Sequence, residues 1–372
     1  MMINKQRLIG EFIELVQIDS PSSREGAVAK ALIYKLEQLG FDVRVDNAGS
    51  ISGGETGNVI AILKGNRPGK TVLFSSHMDT VSPGEGIKPI IDEINGVIRS
   101  DGTTVLGSDD KGGIAAILEA MRIIKENRIE HSDIQIVFSI LEEGGLLGAK
   151  YLDYSTINPD FAFVLDSDGA PGQIVVKAPA QDRIVVKIKG KPAHAGFCPE
   201  NGISAVMVAA RAIERMKLLR IDAETTANIG TIKGGIATNI VMPDLEIVAA
   251  ARSLDNAKLD AQTQHMVDTF KEAAVDFGAE VEIKTERIYE AFCIDENDEI
   301  VSMLKNVFSN MNIEYKAVSS GGGSDTNIFN AKGLKAVNLG VGMKNAHTLE
   351  ECISIDDLMN SVRMVVEIVK EA

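Results

Sequence analysis

Cysteine is scarce in this 372-residue chain, and its three copies, Cys198, Cys293 and Cys352, lie far apart with no CxxC pair. That spacing argues against a disulfide framework and against a thiolate metal site, and leaves the three as packing residues. Long apolar runs are missing too: nothing reaches the roughly 18 uninterrupted apolar residues of a membrane span. The N-terminal sequence MMINKQRLIGEFIELVQIDS interrupts its apolar positions with Glu11 and Glu14, and it lacks the apolar core and small-residue cleavage site of a signal peptide. A cytoplasmic protein is the expectation. Positive charge is in deficit, with 38 Lys and Arg against 53 Asp and Glu and a formal net charge of -15. Such a chain repels phosphate backbones and carries no basic stripe with interleaved aromatics. Neither nucleic acid nor a membrane is an expected partner.

What remains is ordinary globular material, with 45% hydrophobic residues in a chain long enough for two domains. Residues 5–40 have helical spacing interrupted at Pro21, and Gly40 ends that region before a strand at Phe41–Val45. Val59–Leu63, Thr71–Ser76, Ile134–Ile140 and Phe161–Leu165 read as nearly continuous apolar strands, with a helix over Gly113–Lys125 between them. That alternation predicts a mostly parallel sheet sandwiched by helices. After residue 178 the pattern changes. Strands at Arg183–Lys189, Ala227–Ile232, Leu245–Arg252 and Glu280–Thr285 bracket helices at Ile203–Leu219 and Leu259–Phe277, the βαββαβ order of a ferredoxin-like α+β domain. From Ile294 the first pattern resumes with a helix at Ile300–Met311, a strand at Lys335–Leu339 and a last helix from Ile355. The expected organisation is α/β, with one domain over 1–177 and 293–372 and an inserted domain over 178–292.

Several acidic and histidine motifs fall where these strands end. In SSHMDTV, His77 and Asp79 stand two apart in extended chain and so face one side; His77 can bind a metal through one ring nitrogen while Asp79 accepts from the other. In GSDDKGG, the adjacent carboxylates of Asp109 and Asp110 repel unless a cation neutralises them, although aspartate also suits a helix N-cap. LEEGG puts Glu142 and Glu143 at the carboxyl end of a strand, where open α/β sheets bind ligands. Asp166 ends another strand, and His347 follows a late one. Read singly, each is also a polar loop. Together, two imidazoles and several carboxylates are the donor set of zinc or a similar divalent cation.

The motifs SSHMDTV, SDGTTVLGSDDKGG, LEEGG, VLDSDG, GKPAHAG, GGGSD and NAHTLEE, in this order, resemble those of the dinuclear zinc hydrolases that include peptidase T, glutamate carboxypeptidase and aminoacylase. The likeness spans essentially the whole chain. It implies that His77, Asp109, Glu143, Asp166 and His347 are metal ligands. Asp109 would bridge two ions, His77 and Asp166 completing one and Glu143 and His347 the other. It also implies a cis peptide between Asp109 and Asp110, and Glu142 as the general base. By the same resemblance His194, in GKPAHAG, stabilises the oxyanion, in several relatives from a partner subunit; the residue also reads as a surface hairpin histidine. Arg252, in AARSLD, resembles the clamp on a substrate carboxylate, with a structural salt bridge as the other reading. Asn239, with Gly322, Gly323, Ser324 and Asp325 of the GGGSD loop, resembles further substrate contacts.

The implied cofactors are two divalent ions, Zn2+ or alternatively Co2+ or Mn2+. The implied assembly is a homodimer through the inserted domain, which would also serve as a lid. Aspartate at position 166 and the sequence SDGTTVLGSDDKGGIA resemble the aminopeptidase branch, and peptidase T in particular, so a small peptide cut by a tripeptide aminopeptidase is the leading expectation. The chain is shorter than that pattern between Thr80 and Arg99. The rival readings are a carboxypeptidase or N-acyl amino acid amidohydrolase on the same centre, and a non-catalytic metal-dependent peptide-binding protein. His131 and His265 stand beside no carboxylate motif and are expected outside the site.

Overall fold

The N-terminal helical pattern folds as two helices, Lys5–Val16 and Gly26–Leu39, in a computed structural model that describes residues 3–372. Leu8, Phe12, Leu15 and Val16 bury one face of the first. Gly40 closes the second at φ 97°, in the left-handed region that glycine enters without steric cost.

The chain separates into two units. One runs to Val176 and takes Cys293–Ser319 and Ser324–Ala372; the other comprises Lys177–Phe292 and Ser320–Gly323.

The first unit is built on a nine-stranded sheet. Its path runs Asp42–Val45, Val59–Leu63, Ile134–Ser139, Val72–His77, Phe161–Ser167, Ala336–Gly340, Gln173–Ala178 and Phe292–Cys293, with Lys316–Ser319 paired to Gln173–Ala178. The four central strands are parallel, and their neighbours on either side run antiparallel to them. Val72–His77 and Ile134–Ser139 are buried at every position, as expected where helices cover both faces. Helix Ser108–Asn127 packs on Val72–His77 and against the helices Lys5–Val16 and Ile355–Glu371. Because the central strands are parallel, their carboxyl ends share one edge of the sheet, and that edge carries His77, the Glu142–Glu143 loop and Asp166.

Several details of this unit differ from the sequence reading. Phe161–Leu165 extends to Ser167, so Asp166 lies inside a strand rather than after it. Gln173–Ala178 is an additional strand; its apolar run of Ile174 to Val176 is too short to separate from a loop by pattern. A small antiparallel sheet joins Ile90–Asp92, Val97–Arg99, Cys352–Ser354 and Met343–Lys344, and it ties down the segment that bears His347.

The second unit is a five-stranded antiparallel sheet in the order Leu219–Arg220, Thr225–Gly234, Asp244–Ser253, Ala180–Lys189, Glu280–Tyr289. Helices Ala205–Arg215 and Asn256–Phe277 pack on it around a core of Ile184, Val186, Ile247, Met266 and Phe270. Without the short edge strand the order is that of a ferredoxin-like domain. The first helix is shorter than its apolar spacing predicts, because Met216 turns extended and Leu219–Arg220 pairs with the neighbouring strand. Among the described residues no helix is long and apolar enough to cross a membrane.

Candidate metal centre

His77 closes its strand with a fully enclosed side chain. Its Nε2 lies 2.8 Å from Asp109 Oδ1 and 3.7 Å from Asp166 Oδ1. The other oxygen of Asp109 lies 3.1 Å from His347 Nε2, which is itself 2.6 Å from Glu143 Oε1. One carboxylate therefore offers one oxygen to each of two imidazoles. His77, Asp109 and Glu143 place a donor atom each within 4.8 Å of one another, and so do His77, Asp110 and Asp166. Asp110 was not among the expected ligands; its Oδ2 accepts from the His77 amide at 3.2 Å. The Asp109–Asp110 peptide is cis. Helix Ser108–Asn127 approaches the strands closely enough that a Cβ on Gly113 would stand 2.3 Å from the Leu165 carbonyl oxygen, so glycine is required there.

Charge shows that these residues fit a pair of cations. Burial pushes the Asp110, Asp166 and Glu142 carboxyls well above the ordinary carboxylate range, and their carboxylate neighbours add to the rise. Burial also acts to raise Asp109, but its bonds to His347 and His77 hold it below the usual range. Burial opposes a charge on His77, yet Asp109 and Asp79 outweigh it and the ring is pushed well above its ordinary value. Hydrogen bonds to Asp109 and Glu143 lift His347 to about 10, against the effect of burial. Protons on the two imidazoles thus stand where cations would neutralise the same carboxylates.

The surrounding residues orient this cluster. His77 Nδ1 lies 3.0 Å from the Asp79 carbonyl oxygen and 3.4 Å from its carboxylate, which leaves Nε2 facing the ligands. The sequence predicts Asp79 as the partner of that ring through its carboxylate. The carboxylate's closer bonds are from Ser22 Oγ at 2.7 Å and from the Glu142 and Glu143 amides at 3.0 and 3.2 Å. It therefore also holds the loop that carries both glutamates. Glu25, which no motif flagged, accepts from the next amide back, Leu141, at 3.0 Å. Lys111, inside GSDDKGG but given no role there, is a buried cation: its ammonium donates to Thr80 Oγ1 at 2.5 Å, and burial pushes it down to about 8 against the pull of Asp79 and Glu351.

The profile of peptidase family M20/M25/M40 matches residues 73–371, a span that contains every side chain of the cluster. The chain belongs to this peptidase family. It is a metallopeptidase. Among its relatives, this M20 chain is 46% identical over 371 residues to the YqjE protein of Bacillus subtilis (strain 168), with 100% of both covered. It is similar to the aminopeptidase PepT of Bacillus cereus ATCC 10987 at 43% identity and a TM-score of 0.91, covering 100% of this chain and 99% of that one. It is likewise similar to a tripeptidase of Staphylococcus aureus Mu50 at 41% identity and a TM-score of 0.95, with 100% and 99% covered.

The remaining expected site residues of the M20 chain lie mostly in the second unit. His194 is exposed, and its Nδ1 accepts from the Gly196 and Phe197 amides at 3.1 and 3.2 Å, so the ring proton belongs on Nε2. The carbonyl of Asn239 accepts from the Ala195 amide at 2.9 Å, which seats that residue beside the His194 loop. Arg252 Nε donates to Gln181 Oε1 at 2.8 Å, and the Tyr289 hydroxyl donates to the same oxygen at 2.8 Å. Tyr289 in turn accepts from the Gly323 amide at 3.2 Å, and its ring lies 2.4 Å from where a Cβ on Gly323 would stand. Gly322 faces open space. Ser324 and Asp325 belong to the first unit and are engaged there. Ser324 caps helix Asp325–Ala331, and Asp325 accepts from Ser139 Oγ at 2.5 Å while burial lifts its carboxyl to about 6. His131 Nδ1 sits 2.8 Å from the Ser132 carbonyl, and His265 Nε2 accepts from the Lys217 amide at 3.1 Å; both are locally engaged outside the cluster.

The raised imidazoles set a pH dependence. With His347 raised to about 10 and His77 also raised, metal binding through both rings would displace a proton from each near neutral pH. Apparent Zn2+ affinity of the apoprotein is expected to fall by about tenfold per pH unit for one displaced proton, and by up to about a hundredfold for two, between pH 8 and pH 6. Titration against a chromophoric chelator at each pH measures this; a flat profile would mean that the rings are already deprotonated.

Proposed function

We propose that this chain is a tripeptide aminopeptidase working with two zinc ions, as a cytoplasmic homodimer whose second unit is both lid and dimerisation domain. The observation that carries the reading is Asp109, with one oxygen 2.8 Å from His77 and the other 3.1 Å from His347. With Asp109, His77 and Asp166 would hold one ion and Glu143 and His347 the other; imidazole and carboxylate donors suit zinc, with cobalt or manganese as substitutes. Bound there, the two cations supply a water of lowered pKa and a polarised scissile carbonyl.

Glu142 would take a proton from the attacking water and pass it to the departing amine, work for which a buried carboxyl with a raised pKa is suited. Asp79 holds Glu142 through its amide at 3.0 Å. His194 presents Nε2–H as a donor to the oxyanion. Arg252 binds the peptide's terminal carboxylate: its present partner is the neutral Gln181, and among the described residues no carboxylate pairs with it. Asn239 and the Gly322–Gly323 backbone would be further substrate contacts. Peptide length and end preference follow the names given to the two similar solved structures, an aminopeptidase and a tripeptidase.

Arg252 equally suits an N-acyl amino acid, which also ends in a carboxylate, so a substrate panel decides. Liquid chromatography is expected to show release of the first residue from free tripeptides and little turnover of N-blocked tripeptides or N-acetyl amino acids. Preference for the blocked substrates overturns the aminopeptidase reading. Arg252→Met is expected to lower kcat/KM on free tripeptides by about a hundredfold, the size of one lost charge-assisted pair. C-terminal peptide amides should be nearly unaffected. An equal loss on both classes removes the carboxylate-clamp role.

A further inference from the structure

Glu351 is 1% exposed, and each of its oxygens accepts two hydrogen bonds. Oε2 accepts from the Leu106 and Gly107 amides at 2.7 and 2.9 Å; Oε1 accepts from Ser108 Oγ at 2.7 Å and the Asp109 amide at 3.0 Å. These donors come from consecutive residues that end on Asp109, and they fill the acceptor capacity of one carboxylate.

The loop offers these amides no strand or helix partner, and buried amides must be paired. Gly107 stands at φ 74°, the turn that lets consecutive N–H groups converge on one anion. The segment that supplies Glu351 also supplies His347. Thr348 N donates to Asn345 O at 3.2 Å, Glu351 N donates to Thr348 O at 3.2 Å, and Thr348 Oγ1 donates to Asn345 O at 2.8 Å, so the turn fixes the spacing of the two residues. One turn therefore grips Asp109 twice, at the main chain through Glu351 and at Oδ2 through His347.

We propose that Glu351 is a positioning residue for the metal centre: by clamping residues 106–109 it sets where the Asp109 carboxylate stands between the two ions. This rests on Asp109 being a ligand to both. A carboxylate is needed for the task, because glutamine keeps one acceptor oxygen and turns an NH2 group against the other pair of donors.

The test titrates the apo forms of Glu351→Gln, Ser108→Ala, Glu350→Gln and Asp109→Asn with Zn2+ against a chromophoric chelator, and measures kcat and KM at saturating Zn2+. Glu351→Gln is expected to weaken Zn2+ binding by about 10- to 100-fold, as loss of an outer partner of a metal ligand does, and to lower kcat with KM little changed. Ser108→Ala keeps the carboxylate and removes one donor. Its expected loss of affinity is about threefold to tenfold, the scale of one hydrogen bond, and it decides the matter if Glu351→Gln does not fold. Glu350→Gln, at the exposed neighbour, should match the parent. A lower apoprotein melting temperature with Zn2+ affinity and kcat at parental values in the folded variants makes Glu351 merely structural and overturns the proposal. Parental Zn2+ binding by Asp109→Asn instead places the failure in the metal-centre reading.

Discussion

Glu142→Gln is expected to keep both metal ions and to lower kcat by about a thousandfold or more, toward the upper end of what a positioned general base supplies. Glutamine has nearly the same shape, so the hydrogen bond from the main-chain amide of residue 142 to Asp79 at 3.0 Å and the burial of the side chain persist. What disappears is the capacity to take a proton. Burial holds the Glu142 carboxyl well above its ordinary range, and Asp325, Glu143 and Asp79 push it the same way. A carboxylate whose proton affinity is raised in this way is a stronger base than a free one. Metal analysis of the dialysed variant beside its kcat separates the outcomes. Loss of metal with activity makes Glu142 a ligand, and undiminished turnover removes it from the reaction.

Asp109→Asn is expected to have the larger effect on composition: hydrolysis falls below detection and bound metal drops from two ions per chain to one or none. An amide brings one neutral oxygen where the carboxylate brings two charged ones, while Asp109 serves both imidazoles, at 2.8 and 3.1 Å. His347→Ala removes a donor from only one group, so it should retain one ion beside His77 and Asp166. Elemental analysis after dialysis reads this directly. Two retained ions in Asp109→Asn would show that no carboxylate bridge exists.

Much of the cluster is legible in the sequence because His77, Glu142 and Glu143 sit where easily recognised strands end. Val72–His77 and Ile134–Ser139 are apolar runs, and the polar residues that follow are marked out by contrast with them. His347 is less legible from local pattern, since the strands around it, Met343–Lys344 and Cys352–Ser354, are too short to show a period. It was found through the NAHTLEE motif. The α/β class and the βαββαβ order followed from periodicity, whereas Gln173–Ala178 and the shortened helix Ala205–Arg215 depend on tertiary pairing that apolar spacing does not encode. Least legible were the carboxylates that act on backbone amides. Glu25 and the wider part played by Asp79 leave no spacing rule, and Glu351 lies inside NAHTLEE without its role being marked, because their partners are main-chain N–H groups that every residue carries.

Anomalous diffraction from Zn2+-soaked crystals tests the bridged pair of cations most directly. Two peaks are expected on either side of the Asp109 carboxylate, one reached by His77 and Asp166 and the other by Glu143 and His347. A map with His77 and His347 bare, or with a single ion that Asp109 does not touch, contradicts the dinuclear centre.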